Sequence, residues 1–448
     1  MLLAVALTGC ASFFEASVSP RDTQPSAARG RELLLNRSYL KVGVPVALVD
    51  AVSKPRLTPT DELAPVPGRS LFNSAIPLGY SGKMLGDVPV VAENCLLCHA
   101  GPLQGQWVIG LGNSILDATL PADDPLVDYP QARALGATPE ELRTLEAWVK
   151  YQRDLTPYDR APVTGLVPAL YFTGWFFSHR RPEDFAWADT PYYPMLSTPP
   201  PPTDVPAWWL LKKKQRLYYG GELTGEHTRA LMQFMSPPGN DGHDLREAER
   251  DFEDILAFLQ SLTPPRFPGP IDEKLAARGK TAFEKHCSEC HGTYGEGGKY
   301  PSKVVALEEV GTDPKRNEFM HQLGFAQHYG RTWFAEHSTM EATEGYVAPP
   351  LDGVWATAPY LHNGSVPTLE ALLSPSKRPK YFRRSRDSRD YDLRSVGWKY
   401  TVFTSPGANA ARDIYDTTKF GCGNEGHEFG EQLSEEERPA VLEYLKTL

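Results

Sequence analysis

The chain has 448 residues, 41% of them hydrophobic and 23% charged, which is the balance of a globular protein and not of a disordered one. A formal net charge of −10 argues against a nucleic-acid partner, whose phosphates demand a basic face; an acidic surface suits a basic redox partner instead. The length allows two or three domains, and 41 prolines, clustered as in "YYPMLSTPPPPTDVPAWW", foretell long irregular connections around modest helices.

In chain order, "MLLAVALTGCAS" comes first. Leu7-Thr8-Gly9-Cys10 has the form of a lipobox, and the apolar run before it is too short to span a bilayer. Residues 1–9 read as a signal segment and 10–30 as a polar tether rich in Ser, Pro and Ala. Lipid on Cys10 would anchor the protein to a membrane without a span.

"AARGRELLLN" at 27–36 reads as a helix, and "CLLCH" follows at 95–99. Two cysteines two apart with a histidine directly after the second form the attachment signature of a c-type haem. Each thiol makes a thioether to a porphyrin vinyl group, and the histidine ligates iron. The signature recurs as "CSECH" at 287–291, so Cys95, Cys98 and His99 would hold one haem and Cys287, Cys290 and His291 a second. The competing reading is a zinc site built from both thiol pairs. It is disfavoured by the length of chain between the pairs and by the histidine after each.

The flanks repeat as well. "AARGKTAFEK" at 276–285 matches the opening helix, and "ILAFLQSL" at 255–262 matches "VLEYLKTL" at 441–448. Each closing segment has apolar residues at helical spacing, such as Ile255, Leu256, Leu259 and Leu262. "TPPRFPGP" at 263–270 breaks the chain between the units. The expected fold is therefore mainly α, with extensive irregular loops and little strand. It has two cytochrome c-like haem domains in tandem, an N-terminal one at 31–268 with large insertions and a C-terminal one at 269–448. Insertions of that length inside a domain are usually functional, and here they should cover the first haem.

The sixth iron position decides between an electron carrier and a site open to peroxide or dioxygen. For the second haem the candidates are His362, His427 and Met340. The glycines around His427 would let backbone approach a flat cofactor. Glu222, Glu226 and His227 stand in a segment expected over the first haem, where a carboxylate or imidazole could move a proton; solvated side chains are the competing reading. Lys212, Lys213 and Lys214 read as a solvated face, with contact to a haem propionate or to a partner as the alternative, and Cys422 as a plain unpaired thiol, since the other five of the six cysteines are spoken for by lipid and haem.

"LDGVWATAPYLHNGSVPTLEALL" at 351–373 resembles the C-terminal signature of the bacterial diheme cytochrome c peroxidase superfamily, which includes MauG-like enzymes. "HNGSVPTL", "RPKYF", the terminal "GHEFG" with "LSEEERPAVLEYLKTL", "CLLCHAGPLQGQWVIGLGN" and "VPAWWLLKKKQRLYYGGE" are similar to its rubber-oxygenase-like branch, over most of residues 35–448. The resemblance implies a reactive haem at His99 and a six-coordinate electron-transfer haem at His291 with His427 as its distal ligand. It implies that His362 lies near the haems without binding iron, that Trp209 relays electrons between them, and that Thr357 and Pro359, with Asn113, hold a calcium. The implied activity is that of a haem-dependent peroxidase or oxygenase in the bacterial periplasm or at the cell surface, attached to the outer membrane by lipid. It would take peroxide or dioxygen and exchange electrons with small redox proteins. The alternative is a diheme electron-transfer cytochrome that turns over no substrate.

Overall fold

The computed structural model describes residues 24–52, 62–117, 126–407 and 412–448. Cys10 and its lipobox lie outside the described residues. Eight helices carry or brace the two cysteine motifs: α1 (Ala27–Asn36), α2 (Leu96–His99), α3 (Pro139–Asp159), α4 (Ala169–Ser178), α5 (Gly242–Ser261), α6 (Glu273–His286), α7 (Ser288–His291) and α8 (Glu437–Leu445). Among the described residues no helix is long and apolar enough to cross a membrane.

The repeated Ala-Ala-Arg-Gly has a steric cause. α1 packs on α5 and α6 packs on α8, and in both pairs the helices touch at the glycine of the motif. A Cβ on Gly30 would stand 1.9 Å from the carbonyl oxygen of Asp254, and a Cβ on Gly279 would stand 1.8 Å from that of Ala440. Only glycine lets the backbones meet so closely. Polar contacts fix the first crossing: Arg29 Nη1 pairs with Asp254 at 2.5 Å and Asp251 at 2.9 Å. The second crossing is sealed by Phe283 against Tyr444, ring centres 5.3 Å apart. Asp241 and Asp244 form a capping box at the start of α5.

Two large apolar cores form around these pairs. One gathers Leu33, Leu34, Leu96, Trp208, Phe252 and Ile255; the other gathers Trp209, Phe283, Trp355, Tyr360, Val441 and Tyr444. Residues 263–272 between α5 and α6 carry neither helix nor strand.

Strand content exceeds the sequence-based expectation. β1 (Val44–Pro45), β2 (Tyr80–Leu85) and β3 (Val88–Glu93) form an antiparallel sheet in the order β1-β3-β2. β4 (Ala100–Leu103) pairs antiparallel with β5 (Gln106–Ile109). Further two- and three-stranded sheets stud the rest of the chain. The cause is local: Val88, Val90 and Ala92 alternate inward along β3, and Gly86-Asp87 turns the hairpin, with Gly86 at φ +58°. Gln104 and Gly105 do the same between β4 and β5, both at positive φ. These sheets build the insertions that irregular loops were expected to fill.

Candidate haem sites

At the second motif α6 runs into α7, and Cys287 closes the junction by donating its N–H to Phe283 O at 2.8 Å. The turn of α7 presents Cys287, Cys290 and His291 together. Gly292, at φ +79°, lets the chain leave, because a Cβ there would stand 2.2 Å from Lys299 O. The His291 ring is oriented from behind: its Nδ1–H donates to the Pro349 carbonyl at 2.9 Å. A carbonyl can only accept, so this bond assigns the proton to Nδ1 and leaves the Nε2 lone pair for a metal.

Opposite stands His427, with the two imidazole centres 6.1 Å apart. Its loop is held hard. His427 sits at φ +47° and donates its N–H to Val310 O at 2.6 Å. The Arg378 guanidinium donates to the carbonyls of Asn424 (2.7 Å), Gly426 (2.6 Å) and His427 (3.2 Å), and on its other side to Leu372 (3.1 Å) and Ala371 (3.3 Å). Gly426 is forced as well, since a Cβ there would meet Gly311 C at 2.1 Å.

A cavity of about 490 Å³ lies between these walls, lined among others by Cys287, Cys290, His291, His427, Phe283, Tyr346 and His362. Its size falls in the range of cofactor sites. An iron shared by two imidazoles, with bonds of about 2 Å and ring centres about 1 Å beyond each nitrogen, needs centres about 6 Å apart. The observed spacing meets that. Burial, then the neighbouring His291 and Arg378, pushes His427 down to about 3, and burial lowers His291; both shifts favour the neutral imidazole that metal ligation requires. His427 Nδ1 is buried without a hydrogen-bond partner. The donor set fits a covalently attached haem with two histidine ligands.

The first motif has different surroundings. α2 presents Cys95, Cys98 and His99, with His99 N–H bonded to Cys95 O at 3.1 Å. Against the His99 ring lies Trp208, centres 4.0 Å apart and planes 14° from parallel. His99 Nδ1 is buried and unpartnered, and burial pushes the imidazole down to about 3. Cys95 and Cys98 form no disulfide, and burial pushes their thiols up to about 11 and 12. Tyr80, Glu93, Tyr151 and Asp159 share this neighbourhood electrostatically. The zinc alternative fails on placement: the two thiol pairs belong to separate cores, and among the described residues no three His, Cys, Asp or Glu converge to hold a metal ion.

The other candidate residues take varied places. Trp209 is buried in the second core and donates Nε1–H to Asp352 O at 2.8 Å, while its neighbour Trp208 is the indole against His99. Glu222 is locked in a buried bidentate pair with Arg316, at 2.6 and 3.2 Å, so it is no free acid. Glu226 is exposed before the His227–Met232 helix and accepts from Thr228 Oγ1 at 3.4 Å. His227 is half-buried and lowered by burial, then by Lys214. Met340 packs in the first core and not in the His291 cavity. His362 lines that cavity and stacks on Tyr346, centres 4.2 Å apart. Asn113 spends its side chain on the loop beneath Cys98, donating to Leu97 O and accepting from Ile115 N. Thr357 donates Oγ1–H to Val354 O at 3.0 Å, and Pro359 follows a cis bond in the cavity wall. Cys422 is buried and free. The lysine run is only partly solvated: Lys213 pairs with Asp352 at 2.7 Å, and Lys214 faces the cavity. The roles of Arg378 and Pro349 escape sequence reasoning, although Arg378 opens "RPKYF".

Residues 276–351, which carry Cys287, Cys290 and His291, match the cytochrome c family, a match that points to a covalently bound c-type haem. Residues 345–383, which include Pro349 and Arg378, match a family described as RoxA-like, cytochrome c-like. Two curated relatives are the uncharacterized proteins y4iJ and y4iM of Sinorhizobium fredii (strain NBRC 101917 / NGR234). The first is 32% identical over 42% of this chain and 41% of its own length, the second 31% identical over 39% and 45%. The chain thus spans less than half the length of either relative. A solved structure, Kuenenia stuttgartiensis hydrazine synthase pressurized with xenon, aligns at 14% identity and TM-score 0.24, covering 76% of this chain and 98% of that one; at that score it carries no argument.

Proposed function

We propose that the chain is a diheme c-type oxidoreductase that reacts with peroxide or dioxygen at Cys95, Cys98 and His99 and passes electrons through the haem at Cys287, Cys290 and His291. The carrying observation is the inequality of the two sites. His291 faces a second imidazole across a cavity, whereas among the described residues the ring stacked on His99 is the indole of Trp208, and no second imidazole pairs with it. Haem bound at the two motifs would supply one-electron transfer and, where a coordination position is open, reaction with peroxide or dioxygen. Pro349 orients His291, and Arg378 holds the loop that presents His427. The adjacent indoles Trp208 and Trp209, one in each core, offer an aromatic route between the sites. Half-buried His227 is the candidate for moving a proton near the first site. Small redox proteins would exchange electrons at the acidic surface. Assembly of c-type haem points to the bacterial periplasm or cell surface, with lipid on Cys10 as the anchor.

Absorption and electron paramagnetic resonance spectra, taken with and without peroxide and cyanide, test the proposal. One low-spin centre beside one that responds to peroxide or cyanide is expected. Two low-spin centres inert to both would make the chain an electron carrier.

A further inference from the structure

Lys214 is the residue that the proposed function leaves unexplained. It comes after two spent lysines: Lys212 donates to the Leu262 carbonyl at 2.8 Å, and Lys213 pairs with Asp352. Lys214 instead lines the cavity that holds Cys287, Cys290, His291 and His427. Among the described residues no hydrogen bond or ion pair reaches its ammonium. An unpaired cation away from bulk water is costly, and burial pushes Lys214 down to about 8. The acids lining the same cavity do not neutralise it: Asp352 pairs with Lys213, Glu289 and Glu309 stand with Lys303, and Asp204 is raised well above the carboxylate range by burial, with Arg384 as the base facing it. Tyr218 and Tyr219 line the same cavity. Tyr218 donates its hydroxyl to Gln233 at 2.7 Å.

A c-type haem enters such a cavity with fixed polarity. Its vinyl edge is bound to the two cysteines, and its two propionate carboxylates leave from the opposite edge. Two lysines line the cavity, Lys214 and Lys285. Lys285 stands two residues before Cys287 on α6, at the attachment edge, and is exposed. Lys214 is the cation left for the carboxylate edge. We propose that Lys214 is the ionic partner of a propionate of the haem attached at Cys287 and Cys290, and thereby sets the charge next to the electron-transfer centre. The pairing rests on the reading of that cavity as a haem site.

The test is spectroelectrochemistry on the full holoprotein, with haem counted by mass on the 287–291 peptide. Lys214→Met removes the cation and leaves the carboxylate unpaired, which favours ferric over ferrous iron. The midpoint of the bis-histidine haem should fall by about tenfold in the ferric/ferrous equilibrium, about 59 mV for one electron, with the haem count unchanged. Lys214→Arg should restore the wild-type value, and Lys212→Gln, on the outside of the same run, should leave it unmoved. Equal midpoints in Lys214→Met and wild type would overturn the pairing, as would a shift confined to the haem at Cys95 and Cys98. Absence of haem from the 287–291 peptide of the wild-type protein would instead remove the underlying site.

Discussion

Replacing Gly279 by alanine sets two physical rules against each other. In an ordinary helix interior the change stabilises by about 1 kcal/mol, because glycine carries the larger backbone entropy. Here the new Cβ would stand 1.8 Å from Ala440 O, 2.3 Å from Ala440 C and 2.9 Å from Val441 N. Carbon and oxygen need about 3.3 Å, so α6 and α8 must part by about 1.5 Å at their crossing. The obstructing atoms are backbone and cannot rotate aside, which places the cost at or above the usual 1–3 kcal/mol of overpacking. The net expectation is a loss of about 2 kcal/mol, or roughly 4–8 °C in Tm at about 2–4 °C per kcal/mol. Thermal unfolding of the holoprotein, followed by far-ultraviolet circular dichroism, reads it. Gly30→Ala should lose a similar amount, since its Cβ would meet Asp254 O at 1.9 Å, and Thr281→Ala on the exposed side of α6 should change little. A Gly279→Ala protein as stable as wild type would refute the close crossing and, with it, the physical meaning of the repeat.

The geometry sets three further outcomes. Glu222→Ala leaves the Arg316 guanidinium buried and unpaired and should cost about 3–5 kcal/mol in denaturant unfolding, while Glu222→Leu with Arg316→Met should recover most of it. Asp159 is pushed up to about 8 by burial and then by Glu93, against about 3.9 when unfolded. The folded chain binds the extra proton between those values, so stability falls as pH rises from about 4 to 8; Asp159→Asn should flatten that slope and stabilise most at the alkaline end, and an unchanged slope contradicts the burial. Trp208→Leu should slow electron transfer between the sites in stopped-flow absorption while both haems remain attached; an unaltered rate removes the indole from the route.

How much of the fold and the sites is legible in the sequence varies with the range of the physics involved. The two Cys-x-x-Cys-His motifs can be read because their chemistry fits within five residues. The Ala-Ala-Arg-Gly repeat can be read as a repeat, although its cause, a backbone crossing at glycine, becomes visible only with Asp254 and Ala440 in place. His427 is singled out by its glycines and by resemblance. Arg378 is not, because its partners are carbonyls up to 49 positions away in the chain, and backbone acceptors leave no mark in composition. Trp208 and Trp209 are neighbours in sequence yet enter different cores, and only packing decides which one meets His99. Lys214 is submerged in a run of like charges, where periodicity says nothing about which member turns inward. The short strands of the insertions escape because six residues of alternation in "VPVVAE" are too few to outweigh the surrounding prolines and glycines.

The pairing of His291 and His427 around one iron is most directly tested by the low-temperature electron paramagnetic resonance spectrum of His427→Gly beside that of wild type, with haem counted in both. The glycine tolerates the φ of +47° at this position, so the loop held by Arg378 should persist. The expected result is an unchanged haem count with loss of the low-spin signal of the bis-histidine centre and gain of a high-spin one. A low-spin signal that survives unaltered would contradict the pairing.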